Sequence, residues 1–326
     1  MRILAFVACC GLLLAASLCL AGQVKPEQYI LATGRTRGPA NVLGARLAAV
    51  ATKTGLPMTT IPSAGSVENI ELLAARKAHF AFIQDNVAND AFHGRIKFTS
   101  DSQSQLRGVA ALWPDVLHCL ATEKSRIETW ADLTGKRLAT GELGSGSERT
   151  VQEILNLYGL NLLGAKAAPR LLRGDIIRTF GALSQGKTDA AAFVLGAPND
   201  LVRETLAKAN LRFVQIDPNM LATLRKTQPS YVPYTLKAGL YGDKQPDPVA
   251  TAATSSALIC NVDVDPHDVF RLLTILFENT RKFEEEFPFF HGVTLSSAVQ
   301  GLTVPLHPGA LHYYQYNHIP LPERMR

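Results

Sequence analysis

Tyr29-Ile30-Leu31-Ala32-Thr33-Gly34-Arg35-Thr36-Arg37-Gly38 is an apolar run that breaks into a glycine-bracketed polar loop. Beyond it, from about Asn41 to Thr54, Leu43, Leu47, Val50 and Ala51 fall at i, i+4, i+7 and i+8, the single apolar face of an amphipathic helix. A strand that ends in a glycine turn and feeds a helix exposes backbone N–H groups at the helix start, a geometry that favours anions. Arg35 and Arg37 add positive charge to the same loop. An ordinary strand-to-helix turn with solvated arginines accounts for these ten residues equally well. The fold is decided by the recurrence of this unit.

Gly55 and Pro57 stop the helix, and Met58–Ile61 reads as a strand. The polar loop Ser63-Ala64-Gly65-Ser66 opens a second helix, Val67–Ala78, with Ser66 as its N-cap. Phe80–Ile83 is a strand with Gln84-Asp85-Asn86 at its carboxyl end. Later, Leu138-Ala139-Thr140 runs into Gly141-Glu142-Leu143-Gly144-Ser145-Gly146-Ser147, where Ser145 and Glu148 have capping-box spacing. A helix with Val151, Ile154 and Leu155 on one face follows, then a short strand at Arg170–Leu172 and a helix capped by Asp175. A buried strand, Ala190–Leu195, ends at Gly196-Ala197-Pro198-Asn199.

These are two copies of one unit: strand, glycine loop, helix, strand, polar turn, helix, strand. The alternation implies parallel sheets and an α/β class with two similar lobes. In open α/β sheets ligands sit beyond the carboxyl ends of the strands, where all five loops lie, so two facing lobes make a cleft.

Val109–Leu112 and Leu117–Ala121 read as strands around Pro114, and Ala257–Cys260 as another. Asp265 with Pro266 starts a long helix, and shorter ones follow near Ser296 and Pro308. The chain is expected to cross between lobes twice, near Leu112–Cys119 and Val249–Cys260. Residues 22–115 with 255–326 then form lobe I and residues 116–254 lobe II. Antiparallel crossing strands make Cys119 and Cys260 a candidate disulfide, with two buried thiols as the other reading.

Arg2 and the apolar stretch Ile3–Leu20 read as a secretory signal peptide over residues 1–21, cleaved near Ala21-Gly22; an uncleaved membrane anchor is the rival. Export implies a periplasmic setting. The net charge of +5 falls to +4 when Arg2 leaves, too little to imply nucleic acid. There is no Gly-x-Ser-x-Gly elbow, and the glycine loops lack a P-loop lysine. His307 and His312 flank Pro308 without a glutamate in a zinc-site arrangement and read as structural. No cofactor, metal or catalytic group is expected.

The ordered set of motifs resembles the extracytoplasmic solute receptors of the TAXI type, the binding components of tripartite ATP-independent periplasmic (TRAP) transporters. The matching stretches include Thr33–Gly44, Gly65–Asn69, Phe82-Ile83-Gln84, Ala131–Arg137, Gly144–Ser147, Gly196–Asn199 and Pro305-Leu306-His307-Pro308-Gly309-Ala310. The resemblance implies a type II periplasmic-binding-protein fold whose lobes close on a small carboxylate, such as glutamate, glutamine or a related acid, and deliver it to a membrane permease. It also implies ligand contacts from Gly34, Thr36, Gly65, Ser66, Asn69, Gln84, Ser145, Gly146 and Ser147. Arg37-Gly38-Pro39-Ala40-Asn41 stands where that family carries an aromatic wall, so the solute is open. The expected site is Gly34–Arg37 with Ser63–Asn69 on one side and Gly144–Ser147 with Asn199 on the other. A receptor for an ATP-driven importer and a sensory binding module are the alternatives.

Overall fold

The computed structural model describes residues 26–36, 38–95, 98–99, 102–160 and 168–325. The expected signal peptide and Arg37 lie outside them. The first unit is β1 (Tyr29–Ala32), α1 (Pro39–Lys53), β2 (Met58–Ile61), α2 (Ser66–Ala74) and β3 (Phe80–Gln84). β1 lies parallel to both β2 and β3. Leu43, Leu47 and Ala51 of α1 are fully buried, as the helical period predicts.

α3 (Asp85–Phe92) follows directly, and β4 (Leu106–Thr122) carries the chain into the second unit. There β5 (Arg137–Thr140), α4 (Gly146–Leu157), β6 (Arg170–Arg173), α5 (Ile176–Ser184) and β7 (Ala190–Leu195) repeat the first. β5 again lies parallel to the two other strands of its unit. α6 (Asp200–Lys208), β8 (Leu211–Phe213), α7 (Pro218–Thr227) and β9 (Val232–Leu236) complete that half, and β10 (Val249–Asn261) returns to the first. α8 (Pro266–Glu278), α9 (Thr280–Glu286), α10 (Ser297–Gln300) and α11 (Pro308–Tyr316) close the chain.

The two units share a sheet instead of owning one each. Its order is β2-β1-β3-β10-β4-β7-β5-β6, with β8 beside β4 and β9 beside β10. β4 is one strand running straight through Pro114, not the two strands expected there. Pro114 lacks an N–H to give a ladder, and it sits opposite Ser255, where the register with β10 slips before Ala257. Buried apolar residues form one core from residues 29–113 and 257–325 and two more from residues 116–253. The latter pair lie on opposite faces of the sheet: Leu117 and Cys119 enter one, Val116 and Leu120 the other, with the period of two a strand imposes. The result is the expected two-lobed α/β fold with a hinge of two crossing strands.

Two expectations need correction. Cys119 and Cys260 are free and buried, not bonded. Cys260 sits opposite Arg107 of β4, twelve residues from Cys119 on the same strand (119 − 107), roughly 40 Å at about 3.3 Å per residue. Burial pushes both thiols up. Ser66 is not the N-cap of α2; Gly65 holds that place with φ 131°, a backbone conformation that suits glycine.

His307 does cap a helix. Its Nδ1 accepts the Gly309 N–H at 3.1 Å, and Pro308 takes the first helical position. A Cβ on Gly309 would stand 2.1 Å from the Pro266 carbonyl oxygen, so the start of α11 presses on the start of α8. That close approach is what the proline-leucine-histidine-proline-glycine-alanine run builds.

Candidate functional site

The carboxyl ends of β1, β3, β5 and β7 meet over a cavity of about 890 Å³. The loop after β1 contributes Gly34, Arg35 and Thr36, and the entry to α2 contributes Ser63, Gly65 and Ser66. Gln84 comes from the end of β3, and Ser145, Gly146 and Ser147 from the facing loop. Asn69 and Asn199 are not in the lining. Asn69 is fully buried beneath it, where Nδ2 donates to Thr33 O at 2.6 Å and Phe82 O at 2.7 Å and so ties β1 to β3. Asn199 caps α6, with Oδ1 accepting the N–H groups of Leu201 and Val202.

The serines do the same work in both halves. Ser66 Oγ accepts the Gln84 N–H at 3.0 Å, and Ser147 Oγ accepts the Val194 N–H at 3.1 Å. Each pins the start of its helix to the end of the third strand of its unit. The amides of Ser66 and Val67 in α2 and of Gly146 and Ser147 in α4 have no intrahelical acceptor, while the Glu148 N–H is taken by the Ser145 cap, and both helix starts open on one cavity. Glu68 and Glu148 support the loops just before these helices: Glu68 Oε2 accepts the Ala64 N–H at 2.6 Å and Glu148 Oε2 the Gly144 N–H at 2.7 Å.

Across the mouth, Arg35 pairs with Glu142; the two side chains are 45% and 38% exposed. Gln84 and Gly146 meet from opposite sides. A Cβ on Gly146 would stand 1.9 Å from Gln84 Oε1, so a side chain here would push the Gln84 amide aside.

Sequence reasoning missed the floor. Trp113, Asp115 and Ser256 come from β4 and β10, the strands that cross between the lobes. Trp113 stands edge-on to Phe82 at 5.6 Å and to Phe289 at 5.2 Å. Its Nε1 donates to Asp115 Oδ1 at 3.1 Å. Asp115 is 8% exposed, and the side chains of Gln84 and Ser256 stand beside it and favour its charged form. Burial drives its carboxyl up to about 7, and its neutral polar neighbours offset only part of that shift. The signal was Trp113-Pro114-Asp115, a polar break inside an otherwise apolar strand.

Beside the cavity, α3 and α4 are joined by buried polar groups. Arg149 Nε donates to Asp90 Oδ2 at 2.7 Å and Nη2 to Glu153 Oε1 at 2.5 Å. Tyr231 donates to Glu153, and Asn86 Nδ2 to Tyr231 Oη at 2.7 Å. Burial raises the Glu153 carboxyl against the pull of Arg149. Among the described residues no group of three or more His, Cys, Asp or Glu side chains is placed to hold a metal ion.

The NMT1-like family profile matches residues 31–316. In fold the chain is similar to the alkanesulfonate-binding protein SsuA from Xanthomonas axonopodis pv. citri bound to MOPS, with TM-score 0.51 and 15% identity over 91% of this chain and 81% of that one. It is also similar to PhnD1 from Prochlorococcus marinus in complex with methylphosphonate, with TM-score 0.52 and 12% identity over 78% and 85%. MatC from Rhodopseudomonas palustris with bound malate matches with TM-score 0.52 and 14% identity over 90% and 96%. At these identities the likeness is one of fold: the two-lobed architecture of solute-binding proteins.

Proposed function

The chain belongs to the NMT1-like family, and on that premise we propose that it is an extracytoplasmic solute-binding protein, not an enzyme, that closes its two lobes on an organic anion and hands it to a membrane partner. One observation carries this reading: the helix starts of both halves of an internal repeat, at Gly65-Ser66 and Gly146-Ser147, open on one cavity. The first two amides of each helix and the helix dipoles favour an anion there. Binding selects the closed arrangement because contacts come from both sides. The division into residues 22–115 with 255–326 and residues 116–254 belongs to this proposal, supported by the way the cores separate.

The site residues of the proposal are Gly34, Arg35, Thr36, Ser63, Gly65, Ser66, Gln84, Ser145, Gly146 and Ser147, with Arg37 retained from the sequence and Asn69 and Asn199 as supports. The membrane partner is an ATP-driven importer or a signalling protein ahead of a TRAP permease, because the matching family is NMT1-like and the similar folds include sulfonate- and phosphonate-binding proteins. A thermal-shift screen of the mature protein against sulfonates, phosphonates, dicarboxylates and amino acids tests the anion reading, with calorimetry on each hit. A bound anion raises the melting temperature with concentration. No shift with any anion at millimolar concentration would overturn it.

A further inference from the structure

The charges that line the cleft do not suit a plain anion. Among the described lining residues Arg35 is the one cationic side chain, and Glu142 neutralises it across the mouth. Four carboxylates line the same space: Glu68, Asp115, Glu142 and Asp175. Three are occupied. Glu68 accepts the Ala64 N–H, Asp175 caps α5 by accepting the Arg178 N–H at 2.8 Å, and Glu142 holds Arg35.

Asp115 differs. It is buried at the floor, and its partners are the indole N–H of Trp113 and the uncharged side chains of Gln84 and Ser256. Among the described residues no Arg, Lys or His makes an ion pair with it. Beside it, Gln84 Oε1 is a buried acceptor with no hydrogen-bond partner, packed against Gly146. A buried carboxylate without a cation and a buried amide oxygen without a donor each cost stability until something answers them. Both residues line a cavity of about 890 Å³, Gln84 Oε1 being packed against Gly146, and a group with several N–H donors would answer the Asp115 carboxylate. The Trp113 and Phe82 rings beside them line that space with apolar surface suited to a carbon body.

We propose that the solute is dipolar: its anionic head lies at the starts of α2 and α4, and an ammonium or similar N–H-rich cationic group at its far end docks on Asp115. This rests on the anion reading above and adds the second pole. Asp115 is then the residue that separates amine-bearing acids from acids of the same size without an amine.

Matched pairs test it: 4-(aminomethyl)benzoate against 4-methylbenzoate, and 3-aminopropylphosphonate against propylphosphonate, titrated into the mature protein by calorimetry at pH 8. The amine-bearing member of a pair binds at least tenfold tighter, and Asp115→Asn, which keeps the shape and the Trp113 hydrogen bond, erases the difference. The wild-type comparison stands whether or not the variant folds. Equal or tighter binding of the amine-free member, binding of neither member of either pair while other anions bind, or an amine preference that survives in folded Asp115→Asn overturns this inference and leaves the anion reading intact. No binding of any anion overturns both.

Discussion

Arg149 of α4 and Asp90 of α3 form a buried ion pair between the two halves of the molecule, with Nε and Oδ2 2.7 Å apart and the side chains 12% and 6% exposed. The same guanidinium reaches Glu153, whose carboxylate also receives the Tyr231 hydroxyl. Removing one member of such a set strands the others without compensation. Arg149→Met is therefore expected to lower stability by about 3–5 kcal/mol in urea unfolding. It should also widen the molecule in small-angle scattering, since the pair spans the lobes. A loss under 1 kcal/mol with unchanged dimensions would show that the pair does not hold the halves together.

Asp115 makes a pH-dependent prediction in the unliganded protein. Its folded pKa of about 7 lies above the ordinary aspartate value of 3.8. The proton is held more tightly in the folded state, so its stabilising contribution is full below about 3.8 and is lost as pH rises toward 7. The ceiling is about 4 kcal/mol, at about 1.4 kcal/mol per pH unit. Asp115→Asn should melt higher than the wild type at pH 8 and match it near pH 4. His118, lowered to about 4 by burial, works in the opposite sense: its contribution is lost as pH falls from 6.5 toward 4. It is common to both proteins and drops out of the comparison. A difference in melting temperature that does not grow with pH would contradict the assignment.

Gly309→Ala tests the helix contact. The added methyl would meet a backbone carbonyl 2.1 Å away, which has no rotamer to move to. Overpacking of this kind costs about 1–3 kcal/mol. Denaturant melts should show the loss in the midpoint with little change in slope.

Arg35 and Glu142 close the mouth as an exposed pair, so their coupling should be modest. A double-mutant cycle of Arg35→Gln and Glu142→Gln is expected to give under about 1 kcal/mol in stability, further reduced by salt. On the proposed function, each single change should weaken solute binding by a similar factor, because both act on closure. Weaker binding in Arg35→Gln alone would instead make the arginine a direct ligand.

The repeated units were legible because their helices carry continuous apolar stripes and their loops are marked by glycine. α3 was not. Its sequence, Asp85-Asn86-Val87-Ala88-Asn89-Asp90-Ala91-Phe92, reads as polar, yet Asp85, Asn86, Asn89 and Asp90 are all buried. What buries them is distant: Asp85 receives the Thr303 N–H at 2.8 Å, and Asp90 meets Arg149. No local period reports a helix that is solvated by the rest of the protein. The floor of the cleft was hidden for a related reason. Asp115 and Ser256 are far apart in sequence and meet only because β4 pairs with β10. Ser66 and Ser147 line the cavity, but their anchoring of the third strand could not be seen before those strands had a place.

The slip in register beside Pro114 has a further consequence. Trp113 and Asp115 flank that proline, and Ser256 lies in the slip itself. A break in the ladder between the two crossing strands therefore lies at the floor of the cavity. In a receptor whose fulcrum lies elsewhere, occupancy must be relayed to the angle between the lobes. On the proposed function the fulcrum and the seat are the same residues, so a guest that fills the seat would act on the angle at its pivot, with no lever arm between them.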